Sequence, residues 1–223
     1  MANSTILAFE TAILGGSIAV FSNNELLVSE CGEAAASRAE DLIPNIHKAL
    51  RSASLILSDI DHIAVSTGPG SYTGIRIGLS TALGLKAAST AKLTATTALA
   101  AIAHSTRRHL QTISAIPMGR EDVAWQVFNN RESTAEEGTP DIGDMNEFTE
   151  FLRRLDSPAY VIVHPVVFSR LASAAASLPA TVTLIESDAN IASYIARAAA
   201  AGHSSSELVP LYLLNPARSK GLF

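Results

Sequence analysis

The chain has 223 residues, 48% of them apolar and only 17% charged, with a formal net charge of −5. That length suffices for one large domain or two small ones sharing a core, and the acidic balance excludes a chain that holds nucleic acid by its own positive field. A single cysteine, Cys31, excludes an internal disulfide and fits a reducing compartment.

Ile6 to Phe9 reads as a short apolar strand ending in Glu10-Thr11. Gly15-Gly16 marks a turn, Ser17 to Phe21 a second strand and, after Asn23-Asn24, Glu25 to Cys31 a third, so the chain opens as an antiparallel meander. Leu42, Ile46, Ala49, Leu50 and Ala53 form the apolar stripe of a helix from about Ser37 to Ser54. Pro44 removes an amide inside that helix, which predicts a kink. Asp61–Thr67 is a buried strand, and the glycine-rich stretch Ser66 to Leu85 follows.

In that stretch Gly68-Pro69-Gly70-Ser71 is a strand-to-helix turn, with Ser71 or Thr73 as the N-cap. Gly74, Gly78 and Ala82 then lie four apart and share one helix face. Each helix glycine costs about 1 kcal/mol against alanine, so their number asks for close approach by another backbone, the chain's own or a partner's. The turn could also cradle phosphate, since unpaired amides and the helix dipole point there. The Lys-Ser/Thr ending of a P-loop is missing, however, and Arg76 is the only nearby cation. Pro69 in place of glycine also rules out a nucleophile elbow.

Thr94 to Arg108 is alanine-rich and helical in pattern, and Cys31 reads as a small core residue. The second half resembles the first. Thr112–Ile116 and Val123–Phe128 read as paired strands around a Pro117-to-Asp122 turn, and Arg131–Pro140 is polar and turn-rich. A helix near Asp144–Leu155, a strand Tyr160–Val163, a helix Val166–Ser177, a strand Thr181–Ile185 and a helix Asp188–Ala201, capped by Asp188, complete it. The tail from Leu208 to Phe223 is expected to be extended, packing back or reaching a partner. The boundary falls near His104–Gln111, giving units 1–105 and 106–223. Two related βββαβα halves resemble the duplicated α/β fold of the actin-like ATPases (ASKHA, ribonuclease H-like), an analogy of element order.

Gly68-Pro69-Gly70-Ser71-Tyr72-Thr73-Gly74-Ile75-Arg76-Ile77-Gly78-Leu79 resembles the signature of the TsaB (YeaZ) family. Arg38-Ala39-Glu40-Asp41-Leu42-Ile43-Pro44 keeps the glutamate and proline of a second family motif, while its histidine and serine are absent. Pro210-Leu211-Tyr212-Leu213 is similar to the family's Pro-x-Tyr-Leu, with Leu214 where an arginine is usual. The resemblance is firm over about the first hundred residues and thin beyond.

It implies a non-catalytic subunit of the complex that makes threonylcarbamoyladenosine in tRNA. Such a subunit docks on the catalytic paralogue TsaD, alongside the ATPase TsaE, reaches tRNA only through the complex, and forms a homodimer when alone. The implied partner surface comprises Glu40, Ile43, Pro44, Tyr72, Thr73, Gly74, Ile75, Arg76, Gly78, Leu79 and Ala82. Nucleotide or phosphate contacts, if any, would fall on Glu10, Thr11, Gly68, Gly70 and Ser71, with ATP or ADP at a complex interface rather than on this chain alone.

Catalytic chemistry tests poorly. An actin-fold kinase needs carboxylates in both halves, yet the usual Asp-Thr-Ser is Glu10-Thr11-Ala12, and Ile116-Pro117-Met118-Gly119 has no acid before Glu121. No two of the six histidines are four apart, so no His-Glu-x-x-His site exists. The stretch Ala95–Ala101, where TsaD-like proteins carry metal-binding histidines, has none. An ATP-dependent enzyme using Glu10, Thr11 and Gly68–Gly74, or a metallopeptidase, are the alternatives. No apolar run approaches a membrane span, and Met1–Thr5 has no signal-peptide basic region, so a cytoplasmic location is expected.

Overall fold

The computed structural model describes residues 4–32, 38–105, 111–129, 138–172 and 174–215, and the side chains from Asp41 onward in the first helix. In the first sheet β1 (Thr5–Glu10) is central, antiparallel to β2 (Ser17–Ser22) and parallel to β4 (His62–Ser66). The edges are β3 (Glu25–Cys31) and β5 (Lys92–Thr96), which gives the order β3-β2-β1-β4-β5. In the second, β6 (Gln111–Met118) is central between β7 (Asp122–Phe128) and β9 (Ala159–Val163), flanked by β8 (Asp141–Asp144) and β10 (Val182–Glu186). Its order, β8-β7-β6-β9-β10, repeats the first.

Helices make three layers around these sheets. On the outside of the first lie α1 (Arg38–Ser52) and α2 (Tyr72–Ala87); on the outside of the second, α4 (Met145–Arg153) and α5 (Pro165–Leu171). Between the sheets are α3 (Ala98–His104) and α6 (Ile191–Ala200). They cross over: α3 packs on β6 and β7, and α6 on β1, β2, β4 and β5.

Strand periodicity explains the layering, because alternate side chains face opposite ways. Leu7 and Phe9 of β1 join Ile63 and Val65 of β4 beneath α1 and α2, while Ile6, Ala8 and Ala64 face α3 and α6. The second sheet divides likewise, Ile113, Val161 and Val163 outward and Ile116 and Ile162 inward. The stripe of α1, from Leu42 to Leu50, is buried as its spacing requires, with Pro44 inside the helix.

Several expectations need correction. Each half runs βββαβαβα rather than βββαβα: in the first, Lys92–Thr96 is an edge strand and only Ala98–His104 is helical, and in the second the extra pair is the expected last strand and helix, β10 and α6. Two threonines suit β5 to its place beside β4, and Thr97 starts the helix by accepting the Ala100 amide at 3.0 Å. β8 has only Ile142 as an apolar signal. β6 continues through Pro117, which pairs with Val123, so the hairpin turn is shorter than expected. The helix expected over Val166–Ser177 stops at Leu171 and is followed by a single 3-10 turn. Asn190, not Asp188, caps α6; the Asp188 carboxylate instead accepts the Asn190 amide at 2.8 Å. Cys31 is exposed, because β3 is an edge strand and Cys31 its last residue. Ser37, most of Arg131–Pro140, residues 106–110 at the boundary and residues 216–223 lie outside the described set.

Four of the described histidines make structural contacts. His62 hydrogen-bonds Thr94 at 2.6 Å, and the ring of His104 stacks on that of His203 with centroids 4.4 Å apart. His164 is buried and caps α5, its Nδ1 accepting the Val166 amide at 3.2 Å. Burial lowers its pKa from 6.5 to about 4. The unfolded chain therefore takes up a proton that the folded one refuses. Stability from the neutral ring is intact above pH 6.5 and falls as pH drops toward 4, by about 2 kcal/mol at pH 5. Urea denaturation at pH 7.5 and 5.0 should show a smaller acid loss in His164→Asn, which keeps a capping acceptor. An unchanged loss would exonerate His164.

Candidate functional site

Glu10 ends the central strand, and only 2% of it is exposed. One carboxylate oxygen accepts the amides of Ala12 and, at 2.9 Å, Ile13, so the acid organises the turn that follows it. That turn is clamped to α2: Thr11 Oγ1 donates to the Gly74 carbonyl at 2.7 Å, and the Ser71 amide to the Ala12 carbonyl at 2.9 Å. Ser71, rather than Thr73, is the N-cap, its Oγ accepting the Gly74 amide at 3.3 Å. The Gly68 amide donates to Ser66 Oγ at 3.1 Å, and Pro69 has no amide. The amides of Gly68, Ser71 and Gly74 are thus occupied inside the chain, and the turn is clamped to the start of α2. Among the expected phosphate contacts, Glu10, Thr11, Gly68 and Ser71 all have internal partners.

The glycine face of α2 has the same explanation. A Cβ on Gly74 would stand 2.3 Å from the Thr11 carbonyl oxygen and 2.7 Å from the Ala12 Cα, and one on Gly78 would stand 2.4 Å from Thr11 Oγ1. The backbone that approaches is the chain's own. Gly74, Ile75, Gly78, Leu79 and Ala82 are buried, so this part of the expected partner surface is corrected to core.

The opposite faces of α1 and α2 remain open. Ile43 is 42% exposed, Tyr72 54% and Leu83 53%, with Pro44, Thr73 and Arg76 also exposed. Arg76 places its guanidinium 4.4 Å from the Tyr72 ring centroid. Glu40 lies in the first turn of α1, and its side chain is outside the described set. Leu83 was hidden among apolar neighbours, though its spacing of seven from Arg76 puts both on one face. These exposed apolar side chains make the outer faces of α1 and α2 the candidate binding surface.

The acids of the second hairpin are Glu121 and Asp122. Asp122 accepts a hydrogen bond from Asn215 Nδ2 at 3.1 Å. A cleft beside Glu10, bounded by Glu30, Asp41 and Asn45, contains Lys48, whose Nζ pairs with Glu30 at 3.2 Å. Among the described residues no three His, Cys, Asp or Glu are grouped to hold a metal, and no helix is long and apolar enough to cross a membrane.

A model of the family described as TsaD, tRNA N6-adenosine threonylcarbamoyltransferase, matches residues 32–204. An uncharacterized protein of Mycobacterium tuberculosis is 37% identical over 83 residues, 35% of this chain and 38% of that protein, so the match spans little more than a third of the relative. The tRNA threonylcarbamoyladenosine biosynthesis protein TsaB of Bacillus subtilis is 26% identical over 162 residues, 72% of this chain and 71% of its own. YeaZ from Pseudomonas aeruginosa superposes with a TM-score of 0.63 at 22% identity, covering 94% of this chain and 100% of that one. With the repeated sheet order, this likeness shows that the chain has the fold of YeaZ, a duplicated α/β fold with one five-stranded sheet in each half.

Proposed function

The chain belongs to the TsaD family of tRNA N6-adenosine threonylcarbamoyltransferase-like proteins, on its TsaB (YeaZ) branch, and from this we propose that it serves tRNA threonylcarbamoyladenosine biosynthesis as a non-catalytic subunit that docks on TsaD and activates it. The supporting observation is a contrast within one element. The inner face of α2 is sealed by Thr11 and Ala12, while its outer face, beside α1, leaves Ile43, Tyr72 and Leu83 in solvent. Glu10 and Asp122, the acids nearest the two hairpins, both have partners in the chain. Chemistry then belongs to the catalytic paralogue and binding to this chain.

In this reading the outer face of α1 and α2 pairs with TsaD, or with a second copy when the chain is alone. A TsaE-like ATPase joins the assembly, ATP or ADP is held at a complex interface, and tRNA is contacted through the complex in the cytoplasm. A net charge of −5 agrees with leaving RNA to another subunit.

Light scattering and calorimetry with the TsaD paralogue of the same genome test this directly. A stable mixed complex is expected, formed at the expense of any homodimer. Leu83→Asp and Ile43→Asp, each placing a charge in an apolar contact, should weaken it by about 30-fold or more while the melting temperature stays near that of the parent. Absence of any complex, with or without nucleotide, would end the docking proposal.

A further inference from the structure

The segment 208–215 runs back over the glycine-rich turn as a strap. The Leu211 amide donates to the Thr67 carbonyl at 2.8 Å. A Cβ on Gly68, whose φ is +106°, would stand 2.7 Å from the Leu211 carbonyl oxygen. Gly68 thus answers both a left-handed backbone and the passage of the strap. Leu208 packs beneath α1 and α2, and Leu213 against the central layer. Asn215 reaches the other half through its bond to Asp122. The strap is held along its length, and Tyr212 lies between the anchors.

Tyr212 places its ring 4.8 Å from that of Tyr72, tilted by 39°, and Tyr72 in turn carries Arg76. The three side chains form a ladder at the edge of the outer face of α2. A flexible arginine loses rotamer freedom when it binds, and one already resting on a ring loses less. The cation–π contact leaves its N–H groups available for a bidentate carboxylate. Among the described residues Arg76 has no ion-pair partner. An unpaired guanidinium on a docking edge of an acidic chain complements an acid across the interface.

Resting on the docking face proposed for TsaD, we infer that the strap is part of that face, with Tyr212 positioning Tyr72 and Tyr72 positioning Arg76 to meet a carboxylate of the catalytic partner. The interface is then built from both ends of the chain. Tyr212 is a positioning residue, and Arg76 makes the contact.

Two readouts separate this inference from the docking reading. In the isolated chain, amide exchange over residues 72–80 should quicken in Tyr212→Ala and remain as in the parent in Tyr212→Phe. In binding to the TsaD paralogue, Tyr212→Ala should weaken the complex about ten-fold and Tyr212→Phe less than about two-fold. Arg76→Lys should lose nearly as much as Arg76→Ala, and Arg76→Ala should flatten the salt dependence. Parental exchange or parental affinity in Tyr212→Ala would overturn the inference. A parent chain that binds no TsaD would overturn the partner assignment, while the exchange measurement would still decide whether the strap orders the edge.

Discussion

Gly74→Ala should destabilise the isolated chain by about 3 kcal/mol and lower its melting temperature by roughly 6–12 °C. The sign is the informative part. Alanine normally favours a helix over glycine by up to about 1 kcal/mol, but here the added carbon would press on the backbone of Thr11 and Ala12. Backbone cannot swing aside as a side chain can, so the clamp between the first turn and α2 must open. Gly78→Ala meets only the Thr11 hydroxyl, which can rotate at the expense of its bond to the Gly74 carbonyl, and should lose about 1–2 kcal/mol. Gly84, with nothing within 4 Å of its Cβ position, is the control, and its alanine variant should gain stability. Urea denaturation of the three variants checks the order. A stabilised Gly74→Ala would refute the clamp. A bulky residue at Gly78 would press on Thr11 in the same way and so unsettle the monomer itself.

The second large effect concerns Glu10. Glu10→Ala should destabilise by about 3–5 kcal/mol, since the amides of Ala12 and Ile13 lose a buried, charged acceptor. Glu10→Gln keeps an acceptor oxygen and should recover much of the loss. Thermal melts measure both, and calorimetry with magnesium and ATP supplies the opposing test. If Glu10→Ala melted like the parent and abolished a nucleotide affinity of the parent chain, the acid would be a ligand-holding group after all.

What could be read from the residues follows from what each pattern encodes. The alternation in Ile6–Phe9 and the stripe from Leu42 to Leu50 report burial directly, and both elements stand where periodicity places them. Glycines four apart on α2 report that something comes close without saying what, and the approaching group proved to be Thr11-Ala12, more than sixty residues earlier. β5 and β8 were obscured for local reasons, one by the alanines that follow it and the other by having a single apolar residue. Tyr212 was visible as part of a short motif, but its contact with Tyr72 spans 140 positions and has no local signature. Long-range partners are what a linear pattern omits.

The crossing of α3 and α6 bears on how the molecule is made. The inner face of the first sheet, with Ile6, Ala8, Ala19 and Phe21, is roofed by a helix that ends only at Ala200. On a translating ribosome, β5 is complete about a hundred residues before that roof exists, a delay of roughly 5–20 s at usual elongation rates. During that interval an apolar sheet stands half covered, open to chaperones and to neighbouring nascent chains. The last helix therefore closes what the first strand began, and a chain interrupted before residue 191 lacks the cover for its own beginning.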